Sequence, residues 1–310
     1  MKVWALHLAV LLGLALAQSL LTPYHANNLS RIMILAIFAM GYNIAFGYSG
    51  LLSLGHALFF AAGMYAAGLL IHHAGLAALP ALLIGALAGG VMAGAVGLLA
   101  LRTTGVSFMI VTLMFAQVGF LTILYFNGVT GGDEGIALTG SQRQLLGLDM
   151  TEDSARFRVA LGLFAMALIA KLLLVQSRFG RVMLAMRENE ERSRMLGFNP
   201  YVIKLQILAI SGVFSGLAGA GYAILFGYFG ASFGSVQYSI LPMLYVLMGG
   251  AGTVLGPLLG AGVMFYLVDF ASGLTSAYLM VVGAALVVLV LFAPRGILGA
   301  VRERWLKWLP

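Results

Sequence analysis

The residues best suited to chemistry lie in one short charged segment of an otherwise apolar chain, between Gly180 and Gly197. Six of the 17 lysine and arginine residues, and three of the ten acidic residues, fall between Arg178 and Lys204. Long apolar stretches precede and follow this segment. Carboxylate and guanidinium groups at such a density form charge-assisted hydrogen bonds with other proteins. The segment is therefore predicted to contact a soluble partner.

The spacing of residues within this charged segment predicts a single amphipathic helix over 180–196. Three- and four-residue steps define one uncharged helical face. That face consists of Val182, Ala185, Met186, Asn189, Ser193 and Leu196. The opposite side carries Arg181, Glu188, Glu191, Arg192 and Arg194. Favourable i,i+4 pairs join Glu188 to Arg192 and Glu190 to Arg194, and Gly197 is a natural end. Because the charges nearly balance, a protein contact is favoured over a helix that lies on lipid headgroups.

Other apparent motifs do not predict chemistry. The sequence GASFG at 230–234 fits a nucleophile pattern, but that pattern requires a strand before it and a helix after it. Gly250-Ala251-Gly252 lacks the third glycine of a dinucleotide fingerprint, because Leu255 stands there. The sequence contains no G-K-[ST] and no cysteine, and His72-His73 has no further ligand at metal-binding spacing. The chain is thus predicted to hold no metal, no cofactor and no catalytic residue.

Four polar residues fall inside predicted apolar spans, where each is costly. Asn43 and Gln117 lie deepest, and they either hydrogen-bond neighbouring helices or line a polar pathway. Lys171 lies near one end of its span, so its amino group is expected to extend to the membrane interface. Asp269 is expected at the opposite interface.

The composition indicates a helical membrane protein. Of the 310 residues, 62% are apolar and 9% are charged, whereas soluble proteins carry roughly 25% charged residues. Apolar runs of about 20 residues recur, which is the length that spans a bilayer as a helix. The net charge of +7 indicates basic cytoplasmic loops and contact with anionic lipid, not nucleic acid.

The distribution of charge predicts the topology. Basic loops stay in the cytoplasm, which places the loop 178–200 and the tail 295–307 inside. The loop 127–157 carries five acidic residues and is placed outside.

The fold class is therefore an all-α polytopic membrane protein, one domain over 1–310 with eight to ten spans. The predicted spans are 3–21, 31–47, 50–71, 76–101, 106–126, 158–176, 201–225, 239–254, 256–271 and 277–293. The first is interpreted as a retained span rather than a cleaved signal peptide, and the glycine-broken segments 50–71 and 239–271 as possible re-entrant pieces.

Glycines at four-residue spacing predict close helix packing, because small residues let two backbones approach in lipid. The pairs are Gly85/Gly89, Gly90/Gly94, Gly212/Gly216, Gly252/Gly256 and Gly256/Gly260.

Several sequence blocks, in order along nearly the whole chain, resemble the LivM-type permease subunits of branched-chain amino acid ABC importers. The blocks are 41–43 (GYN), 47–57 (GYSGLLSLGHA), 105–117 (GVSFMIVTLMFAQ), 131–135 (GGDEG), 185–190 (AMRENE) and 248–257 (MGGAGTVLGP). The resemblance maps the coupling motif of ABC permeases onto Glu191 and, six residues on, Gly197. Arg192 and Ser193 replace the two alanines of the general pattern.

The resemblance implies import across the bacterial inner membrane, with a related second permease subunit completing the pathway. Two cytoplasmic ATPase subunits would use ATP and Mg²⁺ and dock on the residues Arg187, Glu188, Glu190, Glu191 and Gly197. A periplasmic binding protein would deliver the solute to the outer loop, where Asp133 and Glu134 are docking candidates. Related importers carry urea, short amides or aromatic acids, so those solutes stay open. A secondary carrier, or a membrane enzyme or structural subunit, is the less favoured alternative.

Overall fold

The computed structural model describes residues 2–275, 277–293 and 295–304, which form a helical bundle. The helices are α1 (Lys2–Leu20), α2 (Pro23–Asn43), α3 (His56–Ala74), α4 (Ala78–Ala100), α5 (Val106–Tyr125), α6 (Asn127–Thr130), α7 (Asp153–Gln176), α8 (Arg178–Glu188), α9 (Glu190–Met195), α10 (Pro200–Phe226), α11 (Val236–Gly249), α12 (Gly256–Leu274), α13 (Tyr278–Phe292) and α14 (Gly296–Arg304). A π-helical turn, Ile44–Tyr48, extends α2. The predicted all-α class is confirmed.

Eight helices of the described residues are long and apolar enough to cross a membrane, which agrees with the predicted eight to ten spans. The predicted spans 239–254 and 277–293 correspond to shorter helices, α11 with 14 residues and α13 with 15. At 1.5 Å per residue, α11 is roughly 21 Å long and cannot cross a hydrocarbon core of about 30 Å by itself. It follows the short strand Tyr228–Phe229 and a 3-10 turn at Ala231–Gly234, and its short length agrees with the interpretation of 239–271 as broken or re-entrant pieces.

Glycine contacts hold α3, α4 and α10 together at the centre of the bundle. A Cβ atom on Gly89 would lie 2.5 Å from the carbonyl oxygen of Gly212, and one on Gly216 would lie 2.6 Å from that of Gly85. Backbones this close leave no room for a side chain, so the predicted packing role of these two pairs is confirmed. Gly94 has no atom within 4 Å of its would-be Cβ, and the predicted role of that glycine was wrong.

Burial differs strongly between helices. The most apolar stretch of Pro23–Tyr48, which comprises α2 and the π-helical turn, is 83% buried, and Phe38 and Tyr42 have no exposed surface. The most apolar stretches of α1 and α5 are 6% and 17% buried. Their outer faces present apolar side chains such as Leu12 and Val118, which are more than half exposed. Lipid or another protein must cover such faces, because apolar surface of this extent is not stable in water.

Short strands order the segment between α5 and α7, which forms one end of the bundle. The strand β1 (Ile136–Ala137) pairs with β4 (Tyr228–Phe229), and β2 (Gln144–Leu145) pairs with β3 (Leu148–Asp149). Arg143 anchors this segment, because its guanidinium donates to the carbonyls of Ile224, Leu225 and Met150. The backbone N–H of Thr151 donates to the carboxylate of Asp149 at 2.8 Å, which lowers the pKa of that carboxyl. We call this the hairpin end.

Helix starts account for two differences from the predicted spans. Pro23 occupies the first turn of α2, where a residue without an N–H is tolerated, so this helix begins eight residues before the predicted position 31. Asp153 lies in the first turn of α7, five residues before the predicted start at 158. A carboxylate in a first helical turn interacts favourably with the unpaired N–H groups there. The predicted basic tail lies partly outside the described residues, which end at Arg304.

Candidate functional site: a charged helix pair and a buried polar interior

The charged segment folds as two helices, α8 and α9, rather than as the single predicted helix. Asn189 separates them with extended backbone angles of φ −156° and ψ 104°. Its side-chain oxygen accepts a hydrogen bond from the backbone N–H of Arg192 at 2.8 Å, so Asn189 caps α9. A cap residue must leave the helical conformation, which is why the helix breaks here.

The break at Asn189 also changes the ion pairs that the sequence predicted. Neither Glu188–Arg192 nor Glu190–Arg194 forms an ion pair in the part of the chain that the structure describes. The carboxylate of Glu190 instead contacts the amino group of Lys204 in α10, at 2.5 Å. The pair therefore joins α9 to the bundle rather than stabilising one isolated helix.

The remaining coupling candidates have different surroundings. The guanidinium of Arg187 donates to the carbonyl oxygen of Gly47, in the π-helical turn. Glu188 and Glu191 are exposed, with Glu191 in the first turn of α9. Gly197 follows α9 with φ +89°, a conformation that favours glycine, and so provides the predicted end. The exposed acids are thus free to meet another protein.

Two depressions lie beside α8 and α9 at this end of the bundle, which we call the coupling end. Their volumes are about 540 and 530 Å³. Leu101, Thr104, Glu190 and Lys204 line both of them. A depression beside two exposed helices can accept side chains from a docked protein.

Asn43 is fully buried and makes hydrogen bonds with both atoms of its amide group. Its Nδ2 donates to the carbonyl of Thr253 at 2.7 Å, and its Oδ1 accepts from the backbone N–H of Gly252 at 2.9 Å. The sequence left two roles open for Asn43, a hydrogen bond to a neighbouring element and a place in a polar pathway. The structure shows the first kind of contact. Gln117 is half-buried on α5, and its pathway role stays a prediction.

Lys171 does not extend to the membrane interface, and that prediction was wrong. Its side chain has no exposed surface, and its amino group donates to the carbonyls of Thr253 and Val254, each at 3.2 Å. The α7 face that carries it packs against α2 inside the bundle, so no path to the surface is open. Asp269 is accessible and accepts from the hydroxyl of Tyr24 at 2.8 Å, as expected of an interfacial group.

Asp133 and Glu134 lie at the hairpin end in a glycine-rich turn. Both are exposed, and neither carboxylate forms an ion pair with a described basic residue. The turn is held by the Tyr228 hydroxyl, which donates to the carbonyl of Glu134 at 3.1 Å. The two carboxylates therefore project from a fixed backbone, and their docking role stays a prediction.

Sequence reasoning missed a buried polar cluster where α3 meets α10 and α11. The Nε2 atom of His56 lies 2.8 Å from the hydroxyl of Ser211, which donates to the carbonyl of Gly41 at 2.6 Å. Ser239 accepts from the backbone N–H of Ala57 at 3.1 Å. Serines on the small-residue face of α10 were the available signal, but a serine in an apolar helix most often bonds its own backbone.

The described residues contain no group of three or more histidine and acidic residues that could hold a metal ion. What the structure does combine is a bundle of apolar helices, a charged helix pair at one end and an ordered acidic turn at the other. These features define a multi-pass membrane protein.

Comparison with known proteins identifies the family. The family model for permease components of branched-chain amino acid transport systems matches residues 24–291, and the chain belongs to this family. It is 30% identical over 327 aligned residues to the high-affinity branched-chain amino acid transport system permease protein LivM of Escherichia coli K12. It is 27% identical over 323 aligned residues to the LivM protein of Salmonella typhimurium LT2. Each alignment covers 96% of this chain and 76% of the relative.

An archaeal protein is similar over a shorter region. The probable branched-chain amino acid transport permease protein LivM of Methanocaldococcus jannaschii is 33% identical over 88 residues, which is 28% of this chain and 26% of that protein. No solved structure gives a significant match.

Proposed function

We propose that this chain is the inner-membrane permease subunit of an ATP-driven importer. The hairpin end would face one side of the membrane and the coupling end the other. A second, related permease subunit would complete the translocation pathway. The observation that carries the proposal is the pair α8 and α9, an exposed charged element joined to the bundle by Arg187 and by the Glu190–Lys204 ion pair. Membership of the permease family supports it.

The coupling end would face the cytoplasm and dock the ATPase subunits. Its basic residues agree with the tendency of lysine and arginine to stay in cytoplasmic loops. The sequence has no phosphate-binding G-K-[ST] motif, so ATP and Mg²⁺ would act in the partner subunits. Closure of an ATPase dimer would move α8 and α9, and the bundle would alternate between states open to either side. Coupling of this kind requires an element whose two states both sites bias.

The hairpin end would face the periplasm and receive the binding protein. It carries the acidic turn with Asp133 and Glu134 on an ordered scaffold of short strands. A rigid loop loses less conformational entropy on docking than a flexible one, which favours this role.

The solute class proposed here is the branched-chain amino acids, because the family description and the names of the bacterial relatives specify them. Urea, short amides and aromatic acids are the competing solutes. A binding protein that selects the solute leaves the permease with few specific contacts, so the test has to include that protein.

The test is uptake by proteoliposomes that contain this chain, its second permease subunit and the ATPase subunits, with the cognate binding protein outside. Radiolabelled leucine, isoleucine and valine should enter only when ATP and Mg²⁺ are enclosed. Uptake of urea or an aromatic acid in place of leucine would reassign the solute. Uptake that follows an imposed proton or sodium gradient without ATP would contradict the importer and indicate a secondary carrier.

A further inference from the structure

The turn between α11 and α12, residues 250–255, is held by side chains from three other parts of the chain. Asn43 bonds Gly252 and Thr253. Lys171 bonds the carbonyls of Thr253 and Val254, and Arg302 of α14 donates to the carbonyl of Gly252 at 3.4 Å. We call this segment the α11–α12 turn. Its carbonyl groups are thus fixed from α2, α7 and α14 at once.

The hydrogen bonds from Lys171 to two carbonyl groups require a basic side chain to be buried, which costs free energy. A basic side chain inside a membrane bundle carries a large desolvation cost, and such residues are usually functional. Among the residues that the structure describes, no carboxylate pairs with its amino group. A hydroxyl or a buried water would satisfy the same carbonyls without a basic group. The side chain of Lys171 is long and flexible, so its contact would persist if the turn moved relative to α7.

The α11–α12 turn also touches the π-helical turn that Arg187 contacts. A Cβ atom on Gly47 would lie 2.5 Å from the backbone nitrogen of Gly252, so the two backbones are in direct contact. Arg187 of α8 donates to the carbonyl of the same Gly47. A continuous chain of contacts therefore runs from the exposed helix α8, through Gly47 and Asn43, to the turn.

The π-helical turn is suited to movement. A π-helical insertion replaces the usual i→i−4 ladder and frequently occurs at functional sites. Here it joins the buried helix α2 to the irregular segment 49–55. The backbone N–H of Leu51 bonds back to the carbonyl of Ala45 at 2.9 Å, which closes a wide turn. A displacement of Gly47 can be absorbed here without unwinding the rest of α2.

The helix α11 extends from the turn into the bundle interior. Its C-terminal end, Gly249, adjoins the turn. Near its other end, the ring of Tyr238 lies 5.3 Å from that of Phe60 and 6.2 Å from that of Phe38, between centroids. Phe38 and Phe60 have no exposed surface. The helix α11, which has 14 residues and contains Pro242, would carry a movement of the turn to this buried aromatic region.

We propose that the α11–α12 turn is the element through which α8 drives transport, with Arg187 transmitting the movement and Asn43 and Lys171 acting as positioning residues that keep the turn attached. The proposal rests on the proposed function, because it assigns the route by which ATPase movement reaches the bundle interior. Its distinctive consequence is that a variant lacking one of these contacts should still hydrolyse ATP but should transport less solute per ATP.

The first experiment measures solute transported per ATP hydrolysed in proteoliposomes that contain the complete importer. For Lys171→Met we expect this ratio to fall about tenfold, while ATP hydrolysis stays within about twofold of wild type. A tenfold fall is within the range of typical coupling free energies between two sites. Lys171→Arg, which can still donate to both carbonyls, should restore most of the ratio. Arg158→Met is the matched control, since Arg158 lies on the same helix and bonds only Ser154 among the contacts the structure gives.

A second variant avoids the risk that Lys171→Met does not fold. Arg187→Met alters an exposed residue, so membrane insertion should be normal, and the same fall in the ratio is expected in complexes that retain their ATPase subunits. An unchanged ratio in an assembled Arg187→Met complex would overturn the proposed route. If the wild-type complex shows no ATP-driven uptake, the proposed function is contradicted instead. Failure of the route and failure of the function therefore give different results.

The absence of cysteine allows a direct measurement of the turn. A nitroxide label on Ala251→Cys, half-buried in the turn, should change mobility when ATP and vanadate trap the ATPase subunits. The change should disappear in the Arg187→Met background. A label on Ser141→Cys, exposed at the hairpin end, is the control. An Ala251 signal that is the same with and without trapping, in a complex that transports, would show that the turn does not move.

Discussion

The amino group of Lys204 and the carboxylate of Glu190 lie 2.5 Å apart and join α9 to the start of α10. The helix α10 packs against α3 and α4 through backbone contacts at its glycines. A force applied to α9 is therefore applied to the most tightly packed helices of the bundle. Together with the Arg187–Gly47 contact, the ion pair gives the charged surface two separate attachments to the membrane domain.

The Glu190–Lys204 pair should act as a unit in coupling. Glu190→Gln and Lys204→Met should each reduce the ATPase stimulation that loaded binding protein causes, and the double variant should be no worse than either single one. Because the pair is partly exposed, its contribution to stability should be below about 1 kcal/mol. A double-mutant cycle on ATPase stimulation measures the interaction. Additive effects of the two single substitutions would contradict it.

Glu191 should be required for contact with the ATPase subunits. Its side chain is exposed in the first turn of α9, so Glu191→Lys alters the docking surface and leaves the bundle intact. We expect transport and substrate-stimulated ATP hydrolysis to fall by about tenfold or more, a loss of at least about 1.4 kcal/mol, while insertion is normal. Glu152→Lys, the same reversal at the hairpin end, is the control. Wild-type activity in an assembled Glu191→Lys complex would remove α9 from the coupling surface.

The two-helix form of the charged segment shows what periodicity leaves out. The pattern correctly predicts helix on both sides of Asn189 and the end at Gly197. It does not show that Asn189 caps a second helix, although Asn followed by Glu190 and Glu191 is a typical helix start. A break costs hydrogen bonds within a long helix, and here the Asn189 side chain supplies one in return by accepting from the backbone N–H of Arg192. Local pattern alone could not decide between the two forms.

The buried contacts of Lys171 and Asn43 could not be predicted, because their partners are distant in sequence. Lys171 bonds residues 82 and 83 positions away, and Asn43 bonds residues 209 and 210 positions away. Hydropathy shows that such residues lie in a span, but not which face packs inward. The pairs Gly85/Gly89 and Gly212/Gly216 were predictable, since close packing requires small residues whichever helix is the partner.

Close packing of α4 on α10 gives a stability prediction with an internal control. Gly89→Ala would place a Cβ atom 2.5 Å from the carbonyl oxygen of Gly212 and should force the helices apart. Overpacking of this kind costs about 1–3 kcal/mol. Gly94→Ala, on the same helix with open space around its Cβ, should be neutral or stabilising. Thermal unfolding in detergent would compare the two, and equal midpoints would contradict the tight contact.

The isolated chain should neither bind nor hydrolyse ATP. Its sequence contains no G-K-[ST] motif of the kind that holds nucleotide phosphates, so in the proposed importer this work would fall to partner subunits. Equilibrium binding of a fluorescent ATP analogue to the purified chain is the measurement, with the assembled complex as positive control. Saturable binding by the clean, isolated chain would overturn the proposed division of labour.

Capture of the binding protein should depend on the acidic turn at the hairpin end. Asp133 and Glu134 are exposed and unpaired among the described residues, so both are available to basic groups of a docking protein. Exposed charges change association rates and salt dependence more than they change affinity. Asp133→Asn/Glu134→Gln should therefore slow capture of loaded binding protein, most clearly at low ionic strength, where screening is weak.

Titration of proteoliposomes with binding protein at two ionic strengths tests this double variant. We expect slower association than wild type at low salt and convergence of the two at high salt, since the Debye length shortens to about 8 Å at 0.15 M. Glu152→Gln, which neutralises another exposed acid at the same end, is the control and should behave as wild type. If the double variant matches wild type in rate and half-saturation at both salt concentrations, the acidic turn is not part of the docking surface, and the loop serves only to cover this end of the bundle.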